Sequence, residues 1–330
     1  MGNYTIRFAE YDDIPAIMNY IDNYWKKGHI LAVNQALFKW QYVNHERVNF
    51  VIGLNEENNI CGILGFIPYS ADDDKDIALA LWKARHSESF LGIRLILFLK
   101  KQEKHRNIVC TGINLKTTSK IYKQLGMKVG VMKQWYRLRK GINYRVAKIN
   151  NEEIPGTDSG NCELELLSEK SELKNLDIFG RLNETSVPFK SPGYFEKRYF
   201  DHPVYKYLVY VVKNGCASTA GLIVLRVQEY MGAKVFRFVD FIGEKDVLLG
   251  ITDKIDRLME EHETEYIDMY EAGLNDNILI RAGWKPVKGS GNIIPNYFAP
   301  YQQSVEDIYY CASADSAVLF RGDGDQDRPN

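Results

Sequence analysis

The stretch Ile108–Val129, IVCTGINLKTTSKIYKQLGMKV, decides how this chain is read. Ile108, Val109 and Cys110 form a short apolar run that fits a buried strand. Asn114, Thr117, Thr118 and Ser119 carry side-chain oxygens able to cap a helix start. Ile121, Tyr122 and Leu125 then fall on one face of a short helix, and Gly126 ends it as a C-cap glycine does. The residues describe a strand–helix–strand unit in which Tyr122 is either half-buried packing or something more.

Upstream, Tyr4–Phe8 reads as a strand, and Asp12 and Asp13 cap a helix carrying Ile14, Ile17, Met18, Ile21 and Trp25. A second helix runs around Asn34–Tyr42. Asn49–Leu54 and Ile60–Pro68 are strands around the turn EENN, and Ile77–Trp82 is a third. Phe90–Lys101 is a helix with Ile93, Leu95, Ile96 and Leu99 turned inward. After the opening stretch, Val131–Leu138 reads as one closing strand. The polar segment Asn150–Asn161 is a linker.

Beyond it the pattern returns. Phe38, Tyr42 and His45 are echoed by Phe195, Tyr199 and His202, and Leu125-Gly126-Met127-Lys128 by Ala282-Gly283-Trp284-Lys285. Both landmarks lie 157 residues apart, which indicates duplication. Strands are expected at Tyr207–Lys213, Ala220–Gln228, Val235–Ile242 and Tyr266–Tyr270, with helices at Val247–Met259 and Asn277–Arg281. The division this implies is a first domain over 1–147, a linker over 148–162 and a second domain over 163–330. His45 and His202 occur in both copies, which suits support of a helix-to-strand corner better than catalysis.

A chain of 330 residues suits two domains, and a net charge of −1 gives no electrostatic reason to expect nucleic acid or an anionic membrane. The five cysteines are scattered without a Cys-x-x-Cys pair, so neither a zinc site nor a disulfide framework is indicated. MGNYTIRFAEYDD lacks a signal-peptide pattern, and Ile6 argues against myristoylation. No apolar run approaches membrane-spanning length. The expectations are a cytoplasmic location, no metal, no nucleic-acid partner and no membrane insertion.

Strand, Asn114, polar residues, Ser119-x-x-Tyr122, then Leu125-Gly126-Met127-Lys128 resembles the closing half of the GCN5-related N-acetyltransferase (GNAT) fold. The element order of the first 140 residues or so follows that family throughout. The resemblance implies an α/β chain of two tandem GNAT domains, each a twisted mixed sheet flanked by helices. It further implies acetyl-CoA or another acyl-CoA slotted between splayed strands, with Tyr122 protonating the departing thiolate. The family's pyrophosphate turn, Gln/Arg-x-x-Gly-x-Gly/Ala, corresponds to Ser87 through Gly92. Only Gly92 keeps its place, since Phe90 stands at the first glycine and Ser87 at the leading position. By the resemblance, Leu81, Trp82, Arg85, Phe90, Leu91, Gly92, Ile93, Arg94, Asn114 and Ser119 contact the cofactor. Arg85 and Arg94 are candidates for phosphate charge. His86 and Glu88 lie near the turn.

The second copy carries Glu244-Lys245-Asp246 where phosphate would sit and Leu279 at the Tyr122 position, so the donor is expected in the first copy only. Asp240, a carboxylate in the apolar run Phe238–Phe241, is a candidate base or a satisfied structural aspartate. Trp284, with Tyr297, Phe298 and Tyr301, is a candidate for stacking a sugar or base of the acceptor, with core packing the alternative use of at least half of the cluster. The last residues, Asp-Gly-Asp-Gln-Asp-Arg-Pro-Asn, resemble the ends of GNAT-like proteins of bacterial surface-polysaccharide biosynthesis. They lack the far glutamate of a calcium loop. Ala317–Phe320 is expected to tie this tail down so that Asp323, Asp325, Asp327 or the terminal carboxylate serves the acceptor, as in N-myristoyltransferases. Deleting the tail is then expected to remove transfer and leave the melting temperature nearly intact. The function implied is transfer of an acyl group, acetyl first among them, from acyl-CoA to an amino sugar, by a monomer or weak dimer. A Fem-like aminoacyl transferase using charged tRNA and a non-catalytic ligand-binding protein are the alternatives.

Overall fold

The structure, a computed structural model, describes residues 3–44, 47–85, 90–156, 160–182, 185–215, 218–298 and 300–329. Its frame is two eight-stranded mixed sheets. The first runs Thr5–Ala9, Arg47–Leu54, Ile60–Pro68, Ile77–Ala84, Ile108–Thr111, Tyr309–Ala312, Lys128–Val131, with Val43–Asn44 beside Arg47–Leu54. The second runs Lys285–Pro286, Lys133–Leu138, Thr264–Ala272, Ala233–Gly243, Thr219–Tyr230, Leu208–Lys213, Glu163–Leu166, with Leu319–Phe320 against Thr264–Ala272. This is the fold class the sequence implied.

The two sheets exchange a strand. Val131–Leu138, read from sequence as one element, is divided at Met132. Lys128–Val131 stays in the first sheet, while Lys133–Leu138 crosses into the second, between Thr264–Ala272 and Lys285–Pro286. In return Tyr309–Ala312 enters the first sheet between Ile108–Thr111 and Lys128–Val131. The chains bond where they cross, Met132 N donating to Ile308 O at 2.8 Å. Neither sheet therefore corresponds to a continuous segment such as 1–147 or 163–330. The linker is stitched down as well: Lys148 and Ile293 bond both ways, and Asn292 Oδ1 accepts from the backbone of Asn150 and Asn151.

The helix expected over Val247–Met259 is two, Val247–Gly250 and Thr252–Glu261. The Gly250 carbonyl accepts from Cys162 N at 3.3 Å, and a Cβ on Gly160 would meet that carbonyl oxygen at 1.8 Å. No helix among the described residues is long and apolar enough to cross a membrane.

The duplication appears as a self-complementary contact. Trp40 Nε1 donates to Lys197 O at 3.2 Å, and Lys197 Nζ donates to Val43 O at 3.1 Å. Trp40 and Lys197 are separated by the repeat offset, so equivalent surfaces of the two copies face each other, as across a two-fold axis. Around this contact Ile17, Phe38 and Tyr42 share one buried core with Phe195, Tyr199, Val224 and Leu319. His202 Nδ1 accepts from Val204 N and Tyr205 N and so holds the corner after its helix. His45 lies outside the described residues.

The C-terminal tail is buried rather than merely tied down. Lys190, 2% exposed, lies between Asp240 at 2.5 Å and Asp323 at 2.9 Å. Tyr69 of the first sheet's lobe donates to Asp323 Oδ1, and Phe320 N donates to its Oδ2. Burial works against the Lys190 ammonium, but Asp240 and Asp323 outweigh it and hold the group charged above its ordinary range. This overturns the expectation that deleting the tail spares stability, because deletion strands the partners of a buried charge cluster. Lys190→Met, which leaves both carboxylates without their cation, is expected to lower the unfolding free energy by about 3 to 5 kcal/mol. An unchanged urea midpoint would contradict the assignment.

Candidate functional site

A cavity of about 870 Å³ opens between the lobes. Its first-lobe wall comes from a defect in sheet pairing. Strands Ile77–Ala84 and Ile108–Thr111 pair in parallel only at Ile77–Ile108 and Ala78–Val109, and then separate. Leu79–Lys83 and Cys110–Asn114 line the gap. Opposite it, Leu64 pairs with Trp82 and Gly65 with Ala80, which leaves Leu81 between them as a bulge. Leu81 has φ +39°, a conformation that a leucine holds only when its surroundings impose it.

Trp82 Nε1 donates to Gly92 O at 3.1 Å, and its ring lies 5.3 Å from that of Tyr122. Tyr122 is 2% exposed and lines the cavity. Burial first, then the neighbouring Cys110 and Cys311 thiols, push its hydroxyl well above the ordinary tyrosine range. A phenol so placed is protonated at neutral pH and able to donate. Asn114 lines the mouth, where its Oδ1 accepts from Lys116 N and Thr117 N.

The cavity therefore brings together Leu81, Trp82, Asn114 and Tyr122. The other residues expected at the cofactor do not line it. Leu91 is core, filling the space left by Gly53 and Gly62, where a Cβ would come within 2.8 Å and 3.1 Å of its side chain. Gly92 lies behind Trp82, and Ile93 is half-buried on the same helix. Phe90 stands exposed in the left-handed region before that helix. Arg85 donates to Ile60 O and stacks on Tyr24, and Arg94 lies over Tyr4. Ser119 is buried and donates to Leu115 O. His86, Ser87 and Glu88 lie outside the described residues.

The second-lobe wall is cationic. Arg226 and Gln228 come from Thr219–Tyr230 and Arg237 from Ala233–Gly243, and the tail adds Arg321 and Asp325–Pro329. Asp327 receives Arg226 Nη2 at 2.7 Å, Arg226 Nε at 3.2 Å and Tyr207 OH at 2.9 Å. Burial alone would raise its pKa, but Arg226, with Arg321 and Arg198, holds the carboxyl well below the usual range. Asp325 pairs with Arg328 at 2.9 Å. Both tail carboxylates thus face the cavity with guanidinium partners, while Asp323 lies away from it in the Lys190 cluster. The terminal carboxylate, on Asn330, lies outside the described residues.

Burial gives two further candidates, Asp240 and Trp284, their structural alternative and takes them away from any substrate. Asp240 is fully enclosed, accepting from Lys190, from Tyr199 OH at 2.5 Å and from Phe241 N at 2.8 Å, and does not line the cavity. Trp284 packs edge-on against Phe238 in the second-lobe core. Of its aromatic neighbours in sequence, Tyr297 and Phe298 line the cavity, and Tyr301 stacks on Tyr230 at 4.1 Å. Two of the wall arginines, Arg226 and Arg237, are functional candidates the sequence reading does not name, although each carries the signal noted for Asp240. Arg226 stands in Val224-Leu225-Arg226-Val227 and Arg237 in Val235-Phe236-Arg237-Phe238, charges inside apolar strands.

The corresponding gap of the second lobe is closed. Ala233–Gly243 and Thr264–Ala272 stay paired as far as Phe238–Met269. Beyond that point Leu319–Phe320 pairs with Ala272 and Glu271, and Gly322 N donates to Val239 O at 2.7 Å. Val239 is the unpaired residue of the matching bulge, between the pairs Val224–Asp240 and Leu225–Phe238, and so stands where Leu81 stands in the first lobe. A Cβ on Gly322 would lie 2.5 Å from Tyr199 OH and 3.0 Å from Val239 O, so only glycine permits this seat. The protein's own tail fills the second gap, while at the first it touches the base, where Thr111 Oγ1 donates to Asp323 O at 2.7 Å, and the remainder opens on the cavity.

No protein-family profile and no curated protein sequence matches the chain. Solved structures do. A conserved protein of Enterococcus faecalis of unknown function, described as a probable N-acyltransferase, superposes with a TM-score of 0.58 at 10% identity, covering 94% of this chain and 72% of that one. A GCN5-related N-acetyltransferase from Anabaena variabilis gives 0.58 at 11% identity, with the same coverages. At such identity the likeness is one of fold, and the fold is that of a two-lobed GNAT.

The buried histidines give a pH test. Burial, then Arg198, lowers His202 to about 3, and burial, then Arg328 and Lys26, lowers His29 to about 4. Both fold neutral, so the unfolded chain binds more protons below its own histidine pKa, about 6.5. Stability is therefore expected to be full above that pH and to fall on acidification toward pH 4, at up to about 1.4 kcal/mol per pH unit for each histidine. His202→Asn keeps an acceptor for the corner and should flatten the slope of the urea midpoint between pH 7 and pH 5. An identical slope in both proteins would remove His202 from this account.

Proposed function

We propose that the protein is an N-acyltransferase that takes an acyl-CoA into the gap between Ile77–Ala84 and Ile108–Thr111 and passes its acyl group to an amine. The observation that carries this reading is the contrast between the two gaps. They arise from the same duplicated element, and one is plugged by the chain while the other opens on Tyr122. Past Ala78 the parting strands leave backbone groups without a strand partner, and the amide-bearing arm of CoA is chemically suited to supply the missing pairing.

In this mechanism the Leu81 bulge turns backbone N–H toward the thioester carbonyl and stabilises negative charge as the amine attacks. The tetrahedral adduct then expels the CoA thiolate, and Tyr122, held protonated by burial, gives its proton to the sulfur. The amine's proton leaves to water in the cavity. Leu81, Trp82 and Asn114 serve the donor, and the arginine-rich wall faces the acceptor. Asp325 and Asp327 shape that wall, with their charges already committed to Arg328 and Arg226.

Acetyl as the acyl group and an amino sugar, free or nucleotide-linked, as acceptor are the finer form of the proposal. They are supported by the volume of the cavity and by Tyr205, Tyr297 and Phe298 on its acceptor side. The link to surface polysaccharide rests on the wording of the tail, which here builds the cavity wall. Calorimetric titration with acetyl-CoA is expected to show one site per chain. Tyr122→Phe should keep that affinity while lowering turnover of an accepted amine by roughly 10²-fold. Two sites, none, or unchanged turnover would count against the reading.

A further inference from the structure

The charges of the cavity wall do not balance. Among the described residues the lining carries five cationic side chains against three carboxylates, and four of the five cations are second-lobe arginines. Two of those are matched inside the lining, Arg226 by Asp327 and Arg328 by Asp325. The other two, Arg237 and Arg321, share one carboxylate behind the wall. Arg237 pairs with Asp268 at 2.6 Å and Arg321 reaches the same oxygen at 3.3 Å.

Arg321 is the less satisfied of the pair. Its second bond, to Asn296 O, is 3.4 Å long, and its Nε has no hydrogen-bond partner among the described residues. It is 5% exposed and Arg237 only 1%. Each guanidinium lies over a ring, Arg237 over Phe298 at 4.5 Å and Arg321 over Tyr270 at 4.8 Å, which holds the planes in place without neutralising the charge. Asp268 and, at longer range, Asp327 are thus shared among Arg226, Arg237 and Arg321; buried guanidinium charge in such excess over its carboxylates is costly, and an anion arriving in the cavity relieves the cost. Paired planar forks suit the spaced oxygens of a phosphate or a carboxylate.

We infer that the acceptor carries an anionic group, a phosphate or a carboxylate, seated against Arg237 and Arg321; this rests on the acyltransferase reading above. The donor's own phosphates are the competing source of negative charge, so the test saturates the full-length protein with CoA first. Pyrophosphate and, in a separate arm, malonate are then titrated by calorimetry at constant ionic strength. Saturable binding of one anion per chain is expected, and the arm that binds identifies phosphate or carboxylate. Arg321→Gln should weaken this binding by about tenfold or more while leaving the CoA affinity unchanged, and Arg321→Lys should weaken it less. If Arg321→Gln fails to fold by circular dichroism, Arg328→Gln at the cavity surface takes its place, with a smaller loss expected. Absence of saturable binding in both arms, or binding that neither substitution weakens, overturns the inference. So does a loss of CoA affinity matching the loss of anion affinity, which would give the arginines to the donor. Anion binding by a protein that does not bind CoA would instead sink the acyltransferase reading and leave the anion site standing.

Discussion

Lys190 is the ion on which the architecture depends. A buried ammonium is tolerable only when its carboxylates are in place, and those come from distant parts of the chain. Asp240 is on a central strand of the second sheet, and Asp323 is in the last residues of the tail. Tyr69, beside the first sheet, bonds to Asp323 and closes the group. None of these contacts is worth much until the others exist. The cluster therefore forms with the assembled lobes and fixes the tail in one path across both.

That path decides what the two copies can do. With Asp323 held, Leu319–Gly322 lies in the second lobe's strand gap, and Asp325–Pro329 passes on to wall the cavity at the first. A duplicated fold begins with two equivalent openings. Here one is consumed as structure, which places Leu279 in the core where the first copy has Tyr122 at a cavity. The exchange of Lys133–Leu138 for Tyr309–Ala312 makes the division permanent, since each sheet is completed by the other half. The asymmetry between the two copies is thus a matter of which gap is filled, and the filling belongs to the same residues that stabilise the fold.

Much of the fold was legible because it is local. Apolar alternation located most of the principal strands, and Gly126 and Gly283 stop their helices with φ +80° and +75°, as their sequence settings implied. The offset of 157 gave the duplication, and Trp40 against Lys197 shows that offset as a contact. Tyr122 was legible for the same reason, because a capped turn, a helix and a glycine stop fix its position within one short segment.

What the sequence could not carry was the choice of partner. Nothing in Lys133–Leu138 distinguishes a strand that closes its own sheet from one that crosses to the next, because the two differ only in distant neighbours. A lone charge in an apolar strand announces burial, and so Asp240, Arg226 and Arg237 were detectable as a class. Whether such a charge meets a counter-ion or faces a cavity depends on residues far along the chain. Tertiary structure sent Asp240 to Lys190 and left Arg237 and Arg321 sharing Asp268 at the cavity wall. Local periodicity determined the elements and the repeat; long-range packing and the desolvation of charge decided which copy holds the opening and what faces it.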